Sequence, residues 1–196
     1  MAFIPDVILY SFVFLSVYVQ VFLLITFLEN NKKIVTRLGK IKLKKYPSVT
    51  IVVPCWNEEK TIYKTIRSLL ALNYPKDKLQ IFLIDDGSTD GTWSVLSRFE
   101  HYRNIKIFKK ENGGKHTALN LGLLNCETEF IGCLDADSSV HPEALVRIMS
   151  YYERDPKAMA VVPSVTTADP KNIVQGAQKA EYHMGVSVSY THLTLP

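Results

Sequence analysis

The chain has 196 residues, 47% of them hydrophobic and 21% charged, which is enough apolar material for one folded domain and outside the range of disordered chains. Its formal charge of +4 is unevenly placed: residues 29–46 carry seven Lys/Arg against Glu29 alone, while residues 47–196 carry sixteen basic and seventeen acidic residues. The globular part therefore lacks the clustered basic face that nucleic-acid binding needs, and no nucleic acid is expected as a partner.

The first element is apolar. From Val7 to Leu28, VILYSFVFLSVYVQVFLLITFL runs 22 residues without a charge, the length of a bilayer-spanning helix. A cleaved leader would need a basic start and a small-residue cleavage site, and neither is present. Residues 1–28 are thus expected to be a membrane anchor and residues 29–46 a basic juxtamembrane linker. Positive flanks stay inside, so the following domain is expected in the cytoplasm at the cell membrane, with the linker near anionic headgroups. Cys55, Cys126 and Cys133 are odd in number and form no C-x-x-C pair, which argues against a disulfide framework or a structural zinc. Cys133, in an apolar run, reads as core.

After Pro47 strands and helices alternate. VTIVVP (49–54) reads as a strand, and Asn57 as the cap of a helix through 58–72 with Ile62, Ile66, Leu69 and Leu70 as its apolar stripe. LQIFLI (79–84) is a second strand, and Asp90 caps a helix to about Tyr102. IKIF (105–108) is a third strand, KHTALNLGLLN (115–125) a helix and EFIGCL (129–134) a fourth strand. Pro142 opens a helix to Arg154, AMAVVP (158–163) is a fifth strand, and a last helix covers 171–184. Such alternation predicts an α/β fold with a mostly parallel sheet flanked by helices, in which ligands bind beyond the carboxyl ends of the strands.

Those ends carry the chemistry. They read PCWNEE (54–59), DDGSTDG (85–91), ENGGK (111–115) and DADSS (135–139). Buried carboxylates need pairing, hydrogen bonds or a metal, and several acids on one rim point to a divalent cation. Asp135 and Asp137, two apart on an extended chain, would point to one face. Hard oxygen ligands suit Mg²⁺ or Mn²⁺, which keep water or take substrate phosphates. Lys115 with the Gly113 and Gly114 backbone would then cradle the same diphosphate at a helix N-terminus.

Rival readings of these residues fail on spacing. Asp86-x-Ser88-x-Asp90-Gly91 starts like a calcium loop, but its twelfth position is Ser97. A Walker loop would need glycine where Lys109 stands, and neither G-x-G-x-x-G after the first strand nor G-x-S-x-G occurs. A phosphoacceptor receiver domain also ends strands in acids, but has no use for D-x-D or an adjoining anchor.

VTIVVPCWNEE, IFLIDDGSTDGT, NGGKHTALNLGL and FIGCLDADS, in this order, resemble family 2 glycosyltransferases of the GT-A fold over about residues 47–184. The GGK-x-x-ALN form behind a membrane helix is most similar to the membrane-bound poly-N-acetylglucosamine, chitin, hyaluronan and cellulose synthase-like members. The resemblance implies an inverting transfer from a UDP-sugar to a glycan or lipid-linked acceptor, with Mn²⁺ or Mg²⁺ as cofactor, in polysaccharide synthesis. By the same resemblance Pro54 and Glu58 line the nucleotide pocket, Asp86 or Asp85 binds the uracil, and Lys115 reaches the base or diphosphate. Asp135 then contacts ribose or donor sugar and Asp137 ligates the metal. N-acetylglucosamine is the sugar that the synthase resemblance favours.

The family's general base, an acid in a later motif, has no counterpart here, and neither has the Q/R-x-x-R-W of processive members. The pattern runs through residues 47–185 and stops, and VSVSYTHLTLP (186–196) is similar to read-through at the end of a sequencing frame. The chain is therefore expected to be a truncated member whose base lies beyond its end. The alternative is a nucleotide-sugar-binding fragment without catalysis. His141, His183 and His192 are weak substitutes, since a lone histidine is more often a cap or surface residue.

Overall fold

The computed structural model describes residues 3–36, 41–163 and 175. The chain divides into two units, one of them Ile41–Val161. In the other unit the main described element is α1 (Phe3–Thr36). It contains Val7–Ile25, long and apolar enough to cross a membrane, with none of that stretch buried.

The second unit is the α/β layer structure read from the sequence. Its elements are β1 (Val49–Cys55), α2 (Ile62–Leu70), β2 (Leu79–Asp86), α3 (Thr92–Ser97), β3 (Ile105–Lys110), α4 (Lys115–Leu124), β4 (Phe130–Cys133) and α5 (Ala144–Arg154). The four strands form one parallel sheet in the order β3-β2-β1-β4. β1 and β2 are central and buried on both sides, which is why they read as near-continuous apolar runs.

Registered residues of parallel strands share a face, and successive residues alternate. Ile51, Val53, Cys55, Ile81 and Leu83 therefore pack on one side, against the stripe Ile62, Ile66 and Leu69 of α2 and against α3 and α5. Val52, Phe82 and Ile84 pack on the other, against Ala118 of α4, with Phe82 edge-to-face on Phe108 at 5.3 Å between ring centroids. The first residues of this unit, sequence-assigned to a linker, contribute to the first cluster: Leu43 is buried, and Glu153 Oε1 of α5 accepts the Lys44 and Lys45 amides.

Several expectations change. β2 and β3 run two residues further than predicted, so Asp85 and Asp86 lie within the ladder, opposite Lys109 and Lys110. Residues 135–138 form a turn, with Ser138 N–H donating to the Asp135 carbonyl, rather than an extended strand end. The helix predicted from 90 to Tyr102 ends at Ser97 and continues as tighter turns. No strand forms at 158–163: Met159 and Val162 stand 96% and 82% exposed, because an apolar run becomes a strand only when a neighbour takes up its backbone groups. Cys133 is exposed, since the burial of β4 alternates at the sheet edge, and Cys55 is the buried cysteine instead. The predicted helix 171–184 and the tail 186–196 lie outside the described residues, apart from Gln175.

Candidate functional site

The two aspartates that end β2 separate onto opposite faces of the sheet. Asp86 faces the α4 side and is 3% exposed. Its Oδ1 takes the Lys110 ammonium at 2.5 Å and the Gly113 N–H at 3.1 Å. Burial works to raise the pKa of this carboxyl. The hydrogen bonds from Lys110 and the Gly113 and Gly114 backbone, with the Lys110 charge, outweigh it and hold the group below its ordinary range. Asp85 faces the α2 side, is fully buried, and accepts the Ser88 N–H at 3.1 Å through Oδ1, while its Oδ2 has no hydrogen-bond partner among the described residues. Beside it the Cys55 thiol is pushed up to about 12, first by burial and then by the Asp85 charge, so that cysteine is an inert core group.

The Gly-Gly-Lys turn connects two strand ends. Gly113 is tied to Asp86 as above, and Gly114, at φ +88°, is the N-cap residue of α4. Lys115 then reaches the fourth strand end, its Nζ lying 2.5 Å from Asp135 Oδ1. The hydrogen bond to Asp135 holds the Lys115 ammonium above its ordinary pKa, so it stays charged. Both side chains of that pair are more than half exposed, which leaves them free to exchange partners. The Gly113 amide, by contrast, is already taken by Asp86, and serving a phosphate would require giving that bond up.

Asp135 and Asp137 are both exposed, and the Ala136 between them is buried, its carbonyl drawn inward by Thr65 Oγ1 at 2.7 Å. That bond explains how a turn still presents both carboxylates outward. Among the described residues no group of three or more His, Cys, Asp or Glu side chains is gathered for a metal. Two exposed carboxylates fit a Mg²⁺ or Mn²⁺ that fills its remaining positions with water and diphosphate oxygens.

The end of β1 meets the end of β2 through loops. Pro54 shares the face of Asp86, being registered with Ile84. Glu58 accepts the Thr61 hydroxyl and donates its own N–H to Thr92 Oγ1 at 2.8 Å. Asn57 is not the cap of α2. It adopts φ +56° and turns its side chain to the β2 loop, and α2 starts after Thr61. Asp90 does act at the start of α3, its Oδ1 accepting the Thr92 amide and hydroxyl, which with other hydrogen bonds hold its carboxyl below the ordinary range. His141 is a local cap, with Nδ1 accepting the Glu143 N–H at 3.2 Å. His183 and His192 lie outside the described residues.

Two site residues escape a reading of the sequence. Lys110 looks like a solvated lysine until β3 is registered on β2, and the pairing of Lys109-Lys110 with Asp85-Asp86 was the available signal. Thr92, buried inside the loop network, gave none.

Comparison with known proteins agrees with this architecture. The sequence profile of Glycosyl transferase family 2 matches residues 50–190. A poly-beta-1,6-N-acetyl-D-glucosamine synthase of Staphylococcus epidermidis is 30% identical over 146 residues, covering 74% of this chain and 35% of the relative. The enzyme of the same name from Staphylococcus aureus (strain COL) is 32% identical over 143 residues, covering 72% of this chain and 34% of the relative. The chain thus spans about a third of the length of these relatives. Among solved structures, S. aureus TarS 1–349 in complex with UDP-GlcNAc superimposes with a TM-score of 0.53 at 24% identity, over 62% of this chain and 38% of that one. The mannosyltransferase PcManGT from Pyrobaculum calidifontis, in complex with GDP-Man and Mn²⁺, gives 0.53 at 24% identity over 77% and 44%. These two share the fold. The profile match over most of the described α/β unit, with the synthase identities, carries the conclusion that the chain belongs to glycosyltransferase family 2.

Proposed function

We propose that this chain carries the donor-binding part of a membrane-anchored, divalent-metal-dependent, inverting glycosyltransferase that takes a UDP-sugar to a glycan or lipid-linked acceptor. The observation that carries the reading is the Gly-Gly-Lys turn, bound to Asp86 at one end and to Asp135 at the other. Such a span suits a nucleoside diphosphate, with the base toward Asp86 and the phosphates toward Lys115. The UDP-GlcNAc named with TarS and the N-acetylglucosamine polymer named with the synthases support the UDP-sugar class and make N-acetylglucosamine the first sugar to try.

In this reading the Asp86 carboxylate faces the uracil, and Pro54 and Glu58 border the nucleotide from the β1 side. Lys115 leaves Asp135 for the diphosphate, where its charge offsets the departing nucleotide. Asp137 and the released Asp135 would hold the Mg²⁺ or Mn²⁺, which would supply Lewis-acid stabilisation of the leaving diphosphate. The role of Gly113 is to orient Asp86, and the phosphate contact passes to Lys115.

UDP with Mn²⁺ is expected to raise the melting temperature of the full chain in detergent. At a hundredfold excess over Kd the gain is about 2.7 kcal/mol. Asp137→Ala is expected to remove the Mn²⁺-dependent part of that gain. No shift in a folded wild-type sample would sink the donor reading, whereas binding without sugar transfer would favour the non-catalytic alternative.

The anchor is part of the same proposal, with Val7–Ile25 in the bilayer and the basic residues that follow on the cytoplasmic side. The full chain is expected to stay with membranes through alkaline carbonate extraction, and its release into the supernatant would remove the anchor from the reading.

A further inference from the structure

Among the described residues Asn57 is the non-glycine residue at positive φ, +56°. Such a backbone persists where the surroundings over-determine it. Here they do so from both sides of the residue. The Asn57 N–H donates to Ser88 Oγ at 3.0 Å, and Asn57 Oδ1 accepts the Thr89 N–H at 2.8 Å and the Thr89 hydroxyl at 3.3 Å. The next two amides follow the same direction. Glu58 N–H goes to Thr92 Oγ1 and Glu59 N–H to Asp90 Oδ2 at 3.2 Å, and Glu59 Oε2 accepts the Gly91 N–H at 3.1 Å in return. Three successive amides after β1 thus end on three side chains after β2.

This network is rooted in the core and ends at the rim. Asp85 Oδ1, fully buried, receives the Ser88 N–H, and Ser88 Oγ receives Asn57. On the far side Gly87 sits so close to Asn112 that an added Cβ would lie 2.6 Å from the Asn112 nitrogen. The spacing between the first two loops is therefore passed to the turn that holds Asp86 and Lys115. Asn57, like Glu59, both gives and receives across this gap, and its left-handed backbone aims the carboxamide there.

We propose that Asn57 is a positioning residue for the donor nucleotide: it sets the distance of the β2 loop from the β1 loop, and through Gly87 the placement of Asp86 and the Gly-Gly-Lys turn. Asn57 touches no reacting group and acts through Ser88 and Thr89. The proposal rests on the donor-binding reading above.

Two variants separate this role from general folding. Asn57→Gly relieves the backbone but loses the acceptor oxygen, whereas Asn57→Asp keeps it. The full chain in detergent is followed by hydrogen–deuterium exchange over residues 86–92 and by UDP titration with Mn²⁺. In Asn57→Gly, exchange at this segment is expected to accelerate, and the UDP Kd to weaken, by about tenfold, the worth of the two lost bonds. Exchange in α2 and β3 is expected to remain as in the wild type. Asn57→Asp is expected to stay within about twofold of the wild type in both readouts, a rescue that a merely structural loss of packing would not produce. Wild-type exchange in Asn57→Gly would show that Asn57 does not hold the loop and would overturn the proposal. Faster exchange with unchanged UDP affinity would overturn it too, because the loop would then be held without consequence for the nucleotide. If the wild type binds no UDP, the donor reading fails and takes the positioning role with it, and the exchange data still report whether Asn57 holds the loop.

Discussion

Asp86→Ala is expected to destabilise the α/β unit by about 2–3 kcal/mol and to abolish UDP binding. The carboxylate is almost fully buried and compensates two donors, the Lys110 ammonium and the Gly113 amide. Removing one member of a buried ion pair strands the other, at a cost of about 3–5 kcal/mol. Lys110 is 23% exposed and keeps part of its hydration, so the low end of that range and somewhat below it applies. A loss of this size lowers the melting temperature of a chain this long by roughly 5–10 °C. Adding Lys110→Met to Asp86→Ala is expected to recover much of the stability by removing the stranded charge, but none of the nucleotide affinity. A variant that melts with the wild type would mean that the pair contributes nothing.

The same carboxylate fixes the sign of an acid effect. Its folded pKa is depressed below the ordinary 3.8, so its contribution is fully present above that value. The contribution is lost as pH falls through the lower folded value. The gap in melting temperature between wild type and Asp86→Ala is therefore expected to be flat near neutrality and to close only in strong acid, below 3.8.

Gly87→Ala is expected to cost about 2–4 kcal/mol, combining left-handed strain with a clash that cannot relax. Gly87 has φ +73°, and its new Cβ would lie 2.6 Å from the Asn112 nitrogen and 3.2 Å from the Asn112 Cα. Both are backbone atoms, so relief requires moving one rim loop from the other, and UDP affinity is expected to fall with stability. Gly132→Ala is the control: among the described residues a Cβ there meets nothing within 4 Å, and an effect within about 0.5 kcal/mol is expected. Equal melting of the two variants would show that the two loops do not depend on that close approach.

The order of strands and helices was legible in the chain because it depends on local periodicity. A β-branched run marks β1 and an apolar run β2, the stripe Ile62, Ile66 and Leu69 marks α2, and Pro142 opens the approach to α5. The candidate residues were legible because a parallel α/β sheet presents its strand ends on one rim. The family was legible because its four motifs occur in order. The run at 158–163 has the composition of a strand but pairs with nothing among the described residues, and composition alone does not supply a neighbour.

Tertiary structure decided how those residues divide the work. Asp85 and Asp86 are adjacent and chemically identical, and only the pleat and register of β2 send one to Ser88 and the other to Lys110 and Gly113. Lys110 is 24 residues from Asp86, and Thr89 is 32 residues from Asn57. Local pattern reaches only a turn or two along the chain, so it named Asn57 as a helix cap and missed Lys110. Contacts across such separations are selected by which strands pair and in which register. That pairing, set by burial of β1 and β2 on both faces, is what turned four separate sequence motifs into one rim.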